Sequence, residues 1–167
     1  MDFDKIIQSQ YLASLEMLAA VVQGCPQSLW EHPEPKNKFW HIAYHALFYT
    51  HLYLQPSAGD FTYWEKHREG YEFMGPTPWP PYEQPEIGQP YTPVEVLEYI
   101  DFCRNQVRDI LPRLDLTSEQ SGFDWLPFGK FELQFYNIRH LQQHTGELCE
   151  RLGAAGVDID WVGMVKD

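Results

Sequence analysis

Two pairs of histidines have a spacing that would let both members of a pair bind one metal ion. His140 and His144 are four residues apart, and so are His41 and His45. In an α-helix, residues four apart lie one turn apart on the same face. Two neutral imidazoles placed this way can take neighbouring positions around one ion, at about 2.0–2.1 Å each for zinc. Two such pairs among seven histidines indicate a candidate metal site.

Both pairs lie in segments that have the periodicity of an apolar helix face. Around the second pair, apolar residues recur at steps of three, four and seven, namely Phe135, Ile138, Leu141, Leu148 and Leu152. A fold that brings two such faces together would gather three or four imidazoles in its core, where helical bundles hold metals and cofactors. For any single histidine, the plainer interpretation is a hydrogen-bonded core residue without a ligand role.

The second pair differs from the helical metalloprotease motif. His-Glu-x-x-His needs its general-base glutamate directly after the first histidine, whereas this chain has Gln142 and Gln143 between the two. Glu147 lies one turn beyond His144, and we predict that it is the catalytic carboxylate. It would either accept a hydrogen bond from an imidazole or act as a base near a metal-bound group, the alternative being a solvated helix carboxylate. Gly146, inside the helix, costs about 1 kcal/mol relative to alanine and suggests close approach of another helix or a ligand.

The charge balance excludes some classes of partner. Twelve Lys and Arg against twenty-four Asp and Glu give a formal net charge of −12 at pH 7. A nucleic acid backbone or an anionic membrane surface would be repelled, so we expect neither as a partner. Aromatic residues make up 16 % of the chain, which favours large buried side chains and an aromatic-walled pocket for a small-molecule substrate.

The cysteines and the N-terminal segment predict a cytoplasmic protein. Cys25, Cys103 and Cys149 are odd in number and far apart, as expected of reduced thiols. The first residues lack the basic and apolar regions of a signal peptide, and no apolar run approaches the roughly 20 residues that span a bilayer.

Four amphipathic segments predict an all-α four-helix bundle in one domain, residues 1–167. The predicted helices span residues 3–23, 37–55, 92–113 and 130–152. Asn37 is the possible N-cap of the second helix, and Thr92 to Glu95 have the pattern of a capping box with proline at N1 in the third. His51 should leave the helix face that His45 occupies, because six residues correspond to about 120° of rotation.

The connections carry most of the proline. Residues 24–36 contain Pro26, Pro33 and Pro35, and residues 56–91 contain seven of the thirteen prolines and eight aromatics. We expect the second connection to be an ordered crossover over one end of the bundle, or else the wall of a substrate pocket or a dimer contact. Within it, Asp60–Glu69 could form a short helix. The tail, residues 157–167, is expected to pack back on the surface through Ile159, Trp161 and Val162.

These residues resemble those of the DinB/YfiT-like superfamily of damage-inducible helical bundles, which is distinct from the DNA polymerase of the same name. The resemblance extends over essentially the whole chain. It is carried by the order of the helices, by residues 39–45, Phe-Trp-His-Ile-Ala-Tyr-His, and above all by residues 137–148, Asn-Ile-Arg-His-Leu-Gln-Gln-His-Thr-Gly-Glu-Leu. It implies a divalent metal, often nickel or zinc, bound by His140, His144 and one histidine of the second helix. His45 is our choice for the third ligand, and His41 also fits.

The resemblance also implies a reaction class, since characterised relatives include thiol-dependent transferases and an isomerase. We therefore predict transfer of a low-molecular-weight thiol to a small electrophile, because three imidazoles leave an open position on the metal. One alternative is a metal-dependent hydrolase that uses the same site. The other is a non-enzymatic, stress-associated binding module whose histidines are packed in the core. A homodimer is expected in each case, since bundles with exposed helix faces often pair.

Overall fold

The computed structural model describes residues 3–33 and 36–165, and it is all-helical, with no β-strand in those two ranges. Its α-helices are α1 (Phe3–Gly24), α2 (Gln27–Trp30), α3 (Phe39–Tyr53), α4 (Pro93–Ile110) and α5 (Lys130–Ala154). The four long helices correspond to the four predicted ones, and the short α2 was not predicted. Pro35 of the first predicted connection and residues 166–167 of the predicted tail lie outside the described residues.

The helix starts show where local sequence decides the structure. At the start of α4, the Thr92 hydroxyl accepts the Glu95 backbone N–H at 3.2 Å, and the Glu95 carboxylate accepts the Thr92 N–H at 2.8 Å. The predicted capping box is therefore confirmed. The predicted N-cap at Asn37 is wrong, because Lys38 holds that position in α3 without a side-chain cap. Beyond α4 the chain continues in a 3₁₀ turn, Leu111–Arg113.

The long helices pack in a definite pattern that brings the two histidine pairs together. α1 and α3 each pack against both α4 and α5, and the α3–α5 contact is the most extensive. Fully buried side chains of α1 and α3, such as Leu15, Leu18, Ile42 and Leu47, fill the interior. Burying each of these is worth about 1.5–3 kcal/mol relative to exposure. No helix in the described part of the chain combines the length and the apolar character that crossing a bilayer would require.

The connection between α3 and α4 is ordered by aromatic packing. The predicted helix Asp60–Glu69 is wrong, since the only helical turn there is the 3₁₀ turn Ala58–Asp60. Instead, Tyr91 stacks on Tyr44 of α3 with ring centroids 4.5 Å apart, and Trp64 stacks on Tyr99 of α4 at 4.4 Å. Large rings buried in this way hold an irregular backbone against the helices. The connection is therefore an ordered segment that packs against α3.

A buried lysine fixes the start of α5. Lys130 is 3 % exposed, and its Nζ donates to the backbone oxygens of Gln55, Pro56 and Ser121. Such a buried ammonium is tolerated because several carbonyl dipoles replace its water. A side chain at Gly122, where φ is +87°, would meet the Pro56 oxygen at 2.1 Å. The end of α3 and the start of α5 are thereby joined at one point.

The end of the chain partly follows the prediction. Val157 and Ile159 pack against the core, and Ile159 lies 3.0 Å from where a side chain on Gly24 would begin. Trp161, in contrast, is 77 % exposed. The tail therefore packs back through its aliphatic residues and leaves its tryptophan in solvent.

Candidate metal centre

Three histidines from two helices converge at the α3–α5 contact. One ring nitrogen from each of His45, His140 and His144 lies within 4.8 Å of the others. The Nε2 atoms of His45 and His140 are 3.2 Å apart. Two nitrogens bound at 2.0–2.1 Å to one tetrahedral ion stand about 3.3 Å apart. The three side chains lie close enough together to hold a metal ion.

The backbone of the α3–α4 connection sets the tautomer of His45. Its Nδ1 lies 2.6 Å from the backbone oxygen of Glu72. A carbonyl oxygen only accepts hydrogen bonds, so in the neutral ring Nδ1 carries the proton and Nε2 keeps its lone pair. The Nε2 atom of His45 lies on the edge of the ring that faces His140. Its lone pair is therefore available to bind a metal ion at that point.

A carboxylate and a guanidinium on α5 orient His144. The Nδ1 of His144 lies 3.4 Å from one oxygen of Glu147, and Arg151 donates to the other at 2.7 Å. Arg151 also donates to the Asn37 backbone oxygen at 2.8 Å, which anchors the group at the start of α3. Of the two roles considered for Glu147, this geometry corresponds to acceptance from the imidazole. It places the carboxylate beside Nδ1 and leaves Nε2 without that contact.

His140 is held differently. Its Nδ1 is buried and has no hydrogen-bond partner among the described residues, while Nε2 faces His45. In the metal-free protein, the contact between the two Nε2 atoms is an N–H···N hydrogen bond, which needs one of them to be protonated. Because the Nε2 of His45 keeps its lone pair, that proton lies on the Nε2 of His140, and a metal ion bound there would shift it to the Nδ1 of the same neutral ring.

Burial keeps the cluster uncharged. It is the main cause that lowers the pKa of His45 to about 3 and the pKa of His140 to about 4, and the neighbouring imidazoles lower both further. Burial also lowers the pKa of His144, although the Glu147 carboxylate opposes this. The imidazoles are therefore neutral near pH 7, the form in which they bind metals.

The other two histidines of α3 lie outside the cluster. His41 donates from Nε2 to the Tyr71 backbone oxygen at 2.8 Å and stacks on Trp40, so it is a hydrogen-bonded core residue. His51 lies 3.2 Å from the Tyr99 hydroxyl on α4 and, as predicted, leaves the face of His45. Of the two third ligands that the sequence left open, His45 is the one that lies beside His140 and His144.

Three residues around the cluster were not identified from the sequence. Glu72 is 8 % exposed, and one of its carboxylate oxygens, Oε2, is buried without a partner in the described part of the chain. Burial raises the pKa of this carboxyl. The Tyr49 ring lies 4.8 Å from the His45 ring, and Asn137 donates to the Thr50 backbone oxygen at 3.0 Å. For Tyr49 and Asn137, the only indication in the sequence is their helical spacing from the histidines.

The prediction that another helix approaches Gly146 closely is wrong. A side chain there would meet no protein atom within 4 Å, and the residue is exposed. No other helix approaches it within the described residues, so packing does not account for the glycine. Close approach of a ligand stays a prediction.

Comparison with known proteins adds no assignment. No model of a known protein family, no curated protein and no solved structure matches this chain. The resemblance to the DinB/YfiT-like superfamily therefore stays a prediction, and the candidate site rests on its own geometry.

Proposed function

We propose that this chain is a divalent-metal-dependent transferase that attaches a low-molecular-weight thiol to a small electrophile. The observation that carries the proposal is the convergence of His45, His140 and His144, with Nε2 atoms of two helices 3.2 Å apart. Neutral imidazoles suit zinc and nickel, the two ions we expect. With three protein ligands, a bound divalent ion would keep an open position and lower the pKa of a thiol or water there.

Two of the three candidate ligands are oriented by residues behind them. The Glu72 carbonyl fixes the tautomer of His45, and Glu147 with Arg151 fixes the ring of His144. Partners of this kind orient metal ligands and raise their basicity. We assign Glu147 this positioning role first. To act as a base near the reacting group, its other predicted role, the Glu147 carboxylate would have to leave His144 and contact the substrate.

Bound metal is the first property to test. Protein purified without a metal-affinity tag should contain about one equivalent of a divalent ion. Glutamine in place of His45, His140 or His144 should remove it. His41→Gln is the matched control, since His41 is a buried histidine of the same helix whose Nε2 bonds the Tyr71 backbone. Metal that survives in the three ligand variants would overturn the site, and its loss in His41→Gln as well would indicate general unfolding.

Dependence on a thiol separates transfer from hydrolysis. The metal-loaded protein would be screened with a panel of cellular thiols against small electrophiles such as epoxides and activated alkenes. Turnover should require both the thiol and the three histidines, and the product should carry a new carbon–sulfur bond. Turnover without thiol, giving a product that has gained water, would show the hydrolase that shares this site. A metal-free protein with no turnover would favour the binding module.

The finer architectural predictions belong to the same proposal. We assign α1, α3, α4 and α5 to a four-helix bundle whose crossover is the aromatic connection between α3 and α4. The packing of α1 and α3 each against α4 and α5 supports this. Cys25, Cys103 and Cys149 are unpaired, in keeping with a cytoplasmic protein. A homodimer is proposed on the exposed phenylalanines of α1 and α5, namely Phe3, Phe131 and Phe135.

A further inference from the structure

A tyrosine contacts two of the three candidate metal ligands. Tyr49 lies one turn beyond His45 on α3, and the centroids of the two rings are 4.8 Å apart. The same tyrosine ring meets the His140 ring of α5 edge to face, with centroids 5.5 Å apart. These are the two histidines whose Nε2 atoms face each other at 3.2 Å. Tyr49 therefore adds a fourth side chain to the cluster, beside the point where an ion would bind.

The hydroxyl of Tyr49 is free to bind a group from outside the chain. No residue within 3–33 and 36–165 forms a hydrogen bond with it. The side chain is partly buried, and its oxygen is not closed off from solvent. The other two tyrosines of α3 differ, because the Tyr44 hydroxyl bonds the His67 Nδ1 at 2.8 Å and the Tyr53 hydroxyl accepts from Trp125 at 3.3 Å. Tyr49 is thus the tyrosine of α3 that has an unused donor.

The surroundings of Tyr49 keep that donor protonated. Burial is the main cause that raises its pKa above the ordinary value of 10, and the charges of Tyr53, Glu72 and Tyr136 add to this rise. Glu72 belongs to the connection and Tyr136 to α5, so the hydroxyl lies close to both elements. Near neutral pH the group is an O–H donor and not a phenolate.

Some electrophiles need such a donor more than others. When a thiolate opens an epoxide, the sulfur–carbon bond forms, the carbon–oxygen bond breaks, and the oxygen keeps the electron pair. The thiol proton goes to solvent and the oxygen takes a proton from solvent, so the sum is a hydroxy thioether. A donor placed at that oxygen stabilises the developing charge, and loss of one such donor costs about 10²–10³ in rate in other enzymes. A departing chloride carries its charge away and depends much less on a donor.

We propose that the electrophile carries an oxygen that takes up negative charge, as an epoxide or a conjugated carbonyl does, and that the Tyr49 hydroxyl donates a hydrogen bond to this oxygen. The inference rests on the proposed transferase function and names the substrate class for the same site. A divalent ion on the three histidines would supply the lowered thiol pKa. Tyr49 acts on the other reactant, beside the same two rings.

Two electrophiles that differ in their leaving group test the role of Tyr49 in turnover. Styrene oxide keeps its oxygen in the product, whereas benzyl chloride loses chloride. Tyr49→Phe should lower kcat/KM for styrene oxide by about 100-fold and leave the value for benzyl chloride within roughly threefold. Tyr53→Phe is the matched control, since its hydroxyl is one turn further along α3 and bonds Trp125. An equal loss with both electrophiles, or no loss with styrene oxide, would overturn the proposal.

Binding tests the same hydrogen bond without turnover. Acetophenone and ethylbenzene differ only in a carbonyl oxygen. In protein labelled with 3-fluorotyrosine, the Tyr49 fluorine resonance is the one that Tyr49→Phe lacks, and acetophenone should shift it more than ethylbenzene does. Acetophenone should also bind wild type about fivefold more tightly than the variant, whereas ethylbenzene should bind both equally. Equal affinity of acetophenone for the two proteins, or no binding up to roughly 10 mM, would overturn the proposal.

The two experiments separate this inference from the proposed function. Acetophenone that contacts Tyr49 in a protein without thiol transfer would support the oxygen site and contradict the transferase. Thiol transfer by wild type, with unchanged selectivity in Tyr49→Phe, would support the transferase and overturn the role of Tyr49. Metal content should be unchanged in Tyr49→Phe, because phenylalanine keeps the ring that packs on His45 and His140. Loss of metal in this variant would show a structural role and overturn the assignment of the hydroxyl.

Discussion

His45 donates its Nδ1–H to the backbone oxygen of Glu72 at 2.6 Å, so an irregular connection sets the tautomer of a candidate metal ligand. The same connection accepts a hydrogen bond from His41 through the Tyr71 oxygen. Two histidines one turn apart thus donate to carbonyls of adjacent residues. They differ because His45 lies beside α5 and has a second nitrogen in contact with His140, which makes it the candidate ligand.

The carboxylate of Glu147 should govern metal affinity through His144. Glu147→Gln removes the negative charge that faces Nδ1, and we expect metal affinity to fall by about 10- to 100-fold. Competition against a chromophoric zinc chelator measures this. Glu150→Gln, an exposed glutamate on the same helix, is the control and should leave affinity unchanged. Equal affinities for the Glu147 variant and wild type would show that the contact with His144 does not tune the metal.

The buried carboxylate of Glu72 should reduce stability in the metal-free protein. Burial raises the pKa of this carboxyl above its ordinary value of 4.5, so the native state binds a proton more readily than the unfolded state. Stability is therefore lost as the pH rises from 4.5 through the pKa of the folded protein. Glu72→Gln removes this loss without altering the backbone oxygen that His45 uses.

Urea unfolding of the metal-free protein at several pH values tests the prediction for Glu72. The glutamine variant should be more stable than wild type near pH 8, and the two should converge towards pH 4.5. Glu86→Gln, an exposed glutamate of the same connection, is the control and should not change the pH dependence. A glutamine variant that is less stable than wild type at pH 8 would indicate that the charged carboxylate has a favourable partner.

Local sequence predicted the helices and the spacing of the paired histidines, because periodicity and capping act within a few residues. The capping box of Thr92 and Glu95 is such a case. The choice between His41 and His45 could not be made in this way, since both lie on one face of α3. It depends on the contact of His45 with His140 on α5, 95 residues away in the sequence. The position of the connection likewise depends on aromatic packing between distant residues and not on a repeating pattern. Glu72 was not predicted for the same reason.

The pH dependence of stability should contain a contribution from His51. Burial lowers the pKa of this imidazole from 6.5 to about 4. Between these values the unfolded chain takes up a proton and the native protein does not, so stability falls as the pH drops from 6.5 towards 4. The shift corresponds to roughly 3 kcal/mol at most.

Comparison of wild type with His51→Phe isolates the His51 contribution. The other buried histidines are present in both proteins, so their effects cancel in the difference. Denaturant unfolding of the metal-free proteins at pH 7.5, 6, 5 and 4.5 should show a smaller loss of stability in the variant. The difference should approach about 1.4 kcal/mol per pH unit below pH 6. Parallel curves would mean that His51 is protonated in the native protein too.

The exposed phenylalanines should control association of the chain. Phe3 contacts Phe131 edge to face with ring centroids 5.6 Å apart, and Phe131 contacts Phe135 at 5.2 Å, so the three rings form one apolar surface on α1 and α5. Phe3 and Phe135 are 50 % and 56 % exposed. A second copy that covers these rings would bury their apolar area, and this gain would have to exceed the repulsion between two chains of net charge −12.

Replacement of Phe131 and Phe135 by serine should convert a dimer into a monomer, because the apolar surface is lost while the buried face of α5 is kept. Sedimentation velocity at micromolar concentration distinguishes the two states. Trp161→Ser is the control, since this tail residue is 77 % exposed and lies outside the phenylalanine surface. A wild-type protein that sediments as a monomer would contradict the dimer, and a dimer unaffected by the double substitution would place the interface on another face.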